Sequence, residues 1–281
     1  MIPALLLALR EAVEAALVIG VVLGALQKAE RTEWNRVVWL GAGTAVLMSA
    51  AVALGLNALR LSLVGPWEPV FEGLMMFLAA GILTWMIIWM FRQGRNEGGR
   101  LAAGAMDAVL RGGGAALFLL AFTAVLREGI ELAIFLLAAV PGADGAQVAL
   151  GAGLGIMLAA LAGAVVFAFA LRLDARRFFL VTGIFLILFA AGLTGRGVHE
   201  MNEVGVIPAV VNHVWDSNTV VAQDSAVGGI LQALFGYNAE PSLTEVIAYA
   251  GYFIAAALMF IFVGRSAPKG KLQPPSGMPS V

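Results

Sequence analysis

Seven long, mostly apolar stretches dominate this sequence, at approximately 2–27, 37–58, 68–91, 115–140, 147–171, 178–198 and 243–264. A helix rises about 1.5 Å per residue and a bilayer's hydrocarbon core is about 30 Å thick, so each stretch has the length of one crossing. Composition agrees: 61% of the residues are hydrophobic and 12% charged, with a mean hydropathy of +0.93, whereas soluble domains carry about 25% charge. The expectation is an all-α integral membrane protein with seven transmembrane helices.

Basic residues orient it. Thirteen Lys and Arg fall on one set of alternate connections: Lys28, Arg31 and Arg36; Arg92, Arg95, Arg100 and Arg111; Arg172, Arg176 and Arg177; and Arg265, Lys269 and Lys271. The opposite set holds Arg60 and Arg196. Cytoplasmic loops collect Lys and Arg, which places the N-terminus outside and the C-terminus inside. A secretory signal is a poor account of the first stretch, because it has no basic n-region and carries Arg10, Glu11 and Glu14 where an apolar core should lie. Between Val198 and Val246 the outward side bears Glu200, Glu203, Asp216, Asp224, Glu240 and Glu245 with no Lys or Arg, a surface that concentrates cations. There are no cysteines, so disulfides, thiolate metal sites and cysteine nucleophiles are excluded.

Two stretches are interrupted by the same word, Arg-Glu-x-x-Glu, at Arg10-Glu11-Ala12-Val13-Glu14 and Arg127-Glu128-Gly129-Ile130-Glu131. Ionisable groups at membrane depth cost roughly 3 kcal/mol each on insertion scales, so six of them in two matching clusters require a reason. Counting along the helices puts Arg10 roughly 13 Å below the outer end of the first span and Arg127 roughly 18 Å above the inner end of the fourth. Both reach the middle of the core. Each word lies in the first span of a three-span unit, and the third spans share Phe77-Leu78-Ala79-Ala80-Gly81 and Leu188-Phe189-Ala190-Ala191-Gly192. Three spans is an odd number, so the second unit enters from the opposite side. This is a 3+3 inverted repeat with one extra C-terminal helix, a plan that secondary transporters use to place substrate at the midplane.

Residues three apart share a helix face, so Glu11 points with Glu14 and Glu128 with Glu131, and the four-residue spacing allows ion pairs from Arg10 to Glu14 and from Arg127 to Glu131. Small residues such as Ala12, Ala15, Ala16, Gly20, Gly24, Gly129 and Ala133 let two helices approach closely enough for one ion to touch both. Four Glu and two Arg leave a formal charge of −2. Hard oxygen ligands without thiolate favour Fe³⁺, Fe²⁺, Mn²⁺ or Mg²⁺ over Cu⁺. The other account is a pair of buried salt bridges that only staple helices.

The chain resembles the oxidase-dependent iron transporter family, which includes fungal high-affinity iron permeases and bacterial Efe-type permeases and is marked by Arg-Glu-x-x-Glu in the first and fourth of seven spans. Phe71-Glu72-Gly73, Leu83-Thr84-Trp85-Met86, Trp89-Met90, His199-Glu200 with Glu203, Trp215-Asp216, and Phe235-Gly236-Tyr237 before Pro241-Ser242 carry the likeness along nearly the whole chain. It implies a permease that moves Fe³⁺ or Fe²⁺ across the cytoplasmic (inner) membrane into the cell, with Glu11, Glu14, Glu128 and Glu131 handling the metal and Arg10 and Arg127 as their charge partners. Iron is then a transported substrate rather than a permanently bound cofactor. A separate periplasmic or extracellular protein that oxidises or delivers iron is the implied partner, beside the lipid bilayer; no nucleic acid is expected, and a homo-oligomer stays open. The permease domain covers 1–266, with repeat one at 1–92, repeat two at 113–200, an outer loop at 201–242 and the seventh span at 243–264, followed by a disordered cytoplasmic tail at 267–281.

Glu72, His199, Glu200 and Glu203 form a candidate outer entry site, since imidazole and carboxylate both suit iron. Glu72 equally fits an acid stabilised at a helix N-terminus, and the other three a solvated helix end. Val210, Val211, Val214, Ile230, Leu231 and Leu234 predict interfacial helical pieces over the outer mouth. His199-Glu200-Met201-Asn202-Glu203 has Glu where a zincin needs its second His, and the basic segment 92–114 lacks the Gly-Lys-Ser/Thr phosphate loop. No enzyme is expected. Met75, Met76, Met86 and Met90 are packing residues rather than copper ligands. The only lysines lie in loops or tail and both histidines outside the core, which removes retinal and haem proteins. A permease for another cation, Pb²⁺ or Mn²⁺, or a non-transporting protein with structural Arg-Glu pairs, are the alternatives.

Overall fold

The computed structural model describes residues 2–93, 103–104, 107, 113–139, 145–169, 175–223 and 225–265, and within these the regular structure is helical, with no strand. Seven long helices fall on the seven apolar stretches: α1 (Ile2–Lys28), α2 (Asn35–Ser62), α3 (Trp67–Gln93), α4 (Gly113–Ala139), α5 (Gly145–Phe169), α6 (Ala175–Glu203) and α8 (Leu243–Arg265). A short α7 (Ala226–Phe235) lies between the last two. Thr32–Ser62, Trp67–Trp89 and Gly183–Glu203 are long and apolar enough to cross a membrane, and Gly145–Leu161 and Leu243–Met259 are shorter apolar helices. The expected tail and most of the basic connection before α4 lie outside the described residues.

α2 shows how these helices are built for lipid. Its inward face is small, with Val38, Gly41, Ala42, Ala45 and Ser49 buried. Its outward face carries Leu40, Leu47, Leu54 and Leu61, spaced seven apart and exposed. Large residues outside and small ones inside reverse the usual soluble pattern, because lipid solvates leucine and tight helix contact gives the packing energy. The hydroxyls of Thr44, Thr84, Thr123 and Thr194 each donate to the carbonyl one turn back, at 2.6–2.8 Å, which satisfies them without water.

α2 lies along α4, α1 along α5, and α3 along α6; α1 and α3 also touch α4, and α8 packs on α6. Glycines set the closest approaches. A Cβ at Gly155 of α5 would collide with the backbone of α1 at Leu5 and Leu9, and one at Gly41 of α2 with the Phe118 carbonyl of α4 at 2.6 Å. Two apolar clusters result. One gathers Leu7, Met76, Leu83, Phe135, Ala138, Leu186 and Phe189; the other gathers Ile19, Val22, Leu26, Val38, Ala45, Leu117, Ala121 and Val125. The start of α1 therefore shares a cluster with the end of α4 and the reverse, so these two helices run antiparallel. Their motif words sit between the clusters.

The segment before α7 departs from expectation. Ile230, Leu231 and Leu234 are helical in α7, but 207–217 is irregular and Val210 has a left-handed φ of 61°. Pro208 supplies the reason: it has no N–H and biases Ile207 away from helical geometry, so a valine-rich run there does not wind. α7 itself is capped by Ser225, whose Oγ accepts from Gly228 N at 3.0 Å, and ends at Gly236 in the left-handed region, φ 67°. It packs against α6 and α1. Gly236 meets Gly192 of α6 backbone to backbone: a Cβ on Gly192 would lie 2.5 Å from Gly236 N. Gly192 is eleven residues from the end of α6, roughly 16 Å along the helix, so α7 dips into the bundle rather than lying across its mouth.

Candidate functional site

Midway along α1 and α4 the chain buries four ionisable side chains almost completely: Glu11 keeps 1% of its surface, Arg10 5%, Glu131 7% and Glu128 8%. One carboxylate oxygen from each of Glu11, Glu128 and Glu131 lies within 4.8 Å of the others. The Oε2 atom of each of these three residues is buried without a hydrogen-bond partner. Carboxylates crowded this way repel one another and have lost water, an arrangement that is costly unless a cation offsets it.

The two arginines supply part of that offset. Arg10 pairs with Glu11, reaches Glu14 Oε1 with Nη2 at 2.5 Å, and donates from Nη2 to Met86 Sδ of α3 at 2.9 Å. Arg127 Nε donates to Glu131 Oε1 at 2.9 Å. Both expected four-residue ion pairs are present. Arg127 also stacks on α3, its guanidinium carbon 5.3 Å from the centre of the Trp85 ring and 5.5 Å from that of Trp89. Gly129, inside the second word, faces Ser49 of α2 with no room for a Cβ, so α4 also lies close against α2 at this level. Of the four predicted glutamates, the structure gathers Glu11, Glu128 and Glu131; Glu14 is held by Arg10 beside them.

The candidate outer residues divide. His199, Glu200 and Glu203, on the last turn of α6, line a cavity of about 210 Å³ with Arg196, Gln223, Gln232, Tyr237, Asn238 and Glu245. Glu72 takes Arg60 Nε at 2.6 Å, an ion pair across the α2–α3 turn, and although it is not itself a wall of the cavity it lies close enough to interact electrostatically with Glu200 and Arg196, which are. Glu245 and Asn238 were not singled out from the sequence as site residues. Glu245 Oε1 lies 3.0 Å from His199 Nδ1, and Asn238 Nδ2 donates to Glu245 Oε2 at 2.8 Å. A signal for Glu245 existed: Ser242-Leu243-Thr244-Glu245 is a capping box, with Ser242 N donating to Glu245 Oε1 at 3.1 Å and Glu245 N to Ser242 Oγ at 3.2 Å.

Long apolar helices, a lipid-facing leucine stripe and charge buried at mid-helix define a multi-pass membrane protein. The model of the iron permease FTR1 family matches residues 1–268, and the chain belongs to that family of permeases, not to an enzyme class. It is 34% identical over 267 residues to the ferrous iron permease EfeU of Escherichia coli O157:H7, covering 93% of this chain and 95% of the relative. The protein of the same name from Yersinia pestis is 32% identical over 264 residues, covering 93% of each. No solved structure matches.

Proposed function

We propose that this chain carries Fe²⁺ inward across the cytoplasmic membrane through a midplane site formed by Glu11, Glu128 and Glu131, with Glu14 adjoining and Arg10 and Arg127 as charge partners. One observation carries the proposal: three buried carboxylates from two helices converge within 4.8 Å and keep orphaned oxygens. Salt bridges serving only as staples would leave no such oxygens over. The formal −2 of the four Glu and two Arg matches a divalent cation, and the relatives' names specify ferrous iron.

Packing supports the wider plan. α1 with α5 and α2 with α4 are the same contact once the units α1–α3 and α4–α6 are exchanged, and α1–α4 and α3–α6 map onto themselves. Antiparallel α1 and α4 support an inverted repeat of seven spans, N-terminus outside, with iron bound where the repeats meet. The cavity bounded by His199, Glu200, Glu203 and Glu245 is then the entry from outside, supplied by a separate iron-oxidising or iron-delivering protein.

The test is radio-iron uptake into proteoliposomes under ascorbate and under ferric citrate, with Mn²⁺ and Pb²⁺ as competitors. Glu11→Gln and Glu128→Gln, each shown to be folded and inserted, are expected to lower saturable uptake at least about a hundredfold, as loss of a transport ligand should. Uptake unchanged in both would reduce the motifs to helix staples. Faster uptake from ferric citrate would reverse the choice of Fe²⁺.

A further inference from the structure

The two motif arginines are held very differently. Arg10 keeps 6% of its side-chain surface, enclosed by Glu11, Glu14 and Met86, whereas Arg127 keeps 40%. Arg127 has a single carboxylate contact among the described hydrogen bonds, to Glu131, and its other face lies on the indoles of Trp85 and Trp89. Those indoles are themselves stacked one turn apart on α3, ring centres 6.5 Å apart. Glu131 is one of the three carboxylates that converge on the proposed iron position. An entering cation and the Arg127 guanidinium thus compete for the same carboxylate, and at such separations in a buried site like charges repel strongly. Of the two arginines, Arg127 is the more exposed and the one with room to give way.

An indole face attracts a guanidinium without carrying net charge. It can receive Arg127 at membrane depth, where a bare arginine would face hydrocarbon, without drawing a second carboxylate into the cluster. We propose that Trp85 and Trp89, on whose faces the Arg127 guanidinium already rests, are positioning residues that retain it when iron occupies Glu11, Glu128 and Glu131, so that metal binding and arginine release from Glu131 form one exchange. When iron leaves, Arg127 returns to Glu131 and restores the charge balance. Arg10 stays fixed throughout. The inference rests on the midplane iron site proposed above.

A thermodynamic cycle tests it, using equilibrium binding of radio-iron, kept ferrous with ascorbate, to the full-length protein in detergent. Replacing both indoles, Trp85→Leu with Trp89→Leu, is expected to raise the iron Kd about tenfold, equivalent to about 1.4 kcal/mol and of the order of a guanidinium–indole contact. Trp85→Phe with Trp89→Phe retains ring faces and should stay within about threefold of the unmodified protein. In an Arg127→Gln background iron should still bind, and the leucine substitutions should then have no further effect. An equal rise in both backgrounds, no rise in either, or loss of binding on Arg127→Gln alone would overturn the exchange. Binding that survives Glu128→Gln would instead remove the midplane site, a distinguishable failure that takes the exchange with it.

Discussion

Gly129 stands inside a motif word of charged residues, yet its part is steric. Ser49 of α2 occupies the space where its side chain would project, and Ser49 Oγ is committed to the Ala45 carbonyl at 2.9 Å. Gly129→Ala should therefore push α2 from α4 and destabilise the protein by about 1–3 kcal/mol, the usual range for overpacking. A detergent thermal melt measures this, and Ser49→Gly in the same chain should recover most of the loss. An unshifted melting temperature would mean that the two helices part without cost. At this scale the sequence was partly readable. The spacing of Arg10 to Glu14 and Arg127 to Glu131 announced their pairing, since helix geometry alone brings them together. The seat of Arg127 on Trp85 and Trp89 was hidden, because it depends on how α3 is turned against α4, which no local spacing encodes. Glu72 was legible as a charge but not as the partner of Arg60, for the same reason.

At the scale of elements, α7 depends on its contact with α6. Gly192→Ala would place a Cβ 2.5 Å from Gly236 N and 2.6 Å from the Phe235 carbonyl carbon, backbone atoms that cannot step aside. Amide hydrogen exchange over 226–237 should accelerate about tenfold or more while the exchange of α2 and α4 stays as it was. Uniform acceleration would show that α7 is no separate unit. Loss of the capping box acts locally in a different way: Ser242→Ala removes the acceptor for Glu245 N and should cost about 1 kcal/mol of stability, read as an earlier unfolding transition. The seven long helices could be located from hydropathy because length and apolarity are properties of a segment by itself. The non-helical course of 207–217 and the descent of α7 could not. Pro208 was visible, but the valines around it suggested an apolar face, and the close approach of α7's end to α6 is fixed by the glycine that receives it.

For the molecule as a whole, the consequential fact is the interlocking of its halves. α1 packs on α5 and α2 on α4, so each unit completes the other's core, and both apolar clusters draw residues from both units. Expressed alone, a fragment carrying α1–α3 or one carrying α4–α8 should be degraded or aggregate. Expressed together, the fragments should assemble and recover iron uptake in membranes. Independent stability of either fragment, seen as a monodisperse peak on size exclusion, would contradict the interlock. The duplication of the motif suggests two related halves from the sequence; the packing of helices between them is not legible there, because pairing between units is a matter of tertiary contact. The same geometry bears on synthesis at the ribosome. α1 carries Arg10, Glu11 and Glu14, yet Glu128 and Glu131, with which it shares the cluster, come more than a hundred residues later in the chain, and Gly155, which seats its start, later still. Until α5 is made, the charges of α1 have an incomplete set of neighbours, and charges left so at membrane depth cost several kcal/mol. Assembly therefore has an obligatory wait built into the order of the chain, during which α1 must be sheltered by the insertion machinery or by water, and a pause or truncation before residue 155 leaves it exposed to quality control.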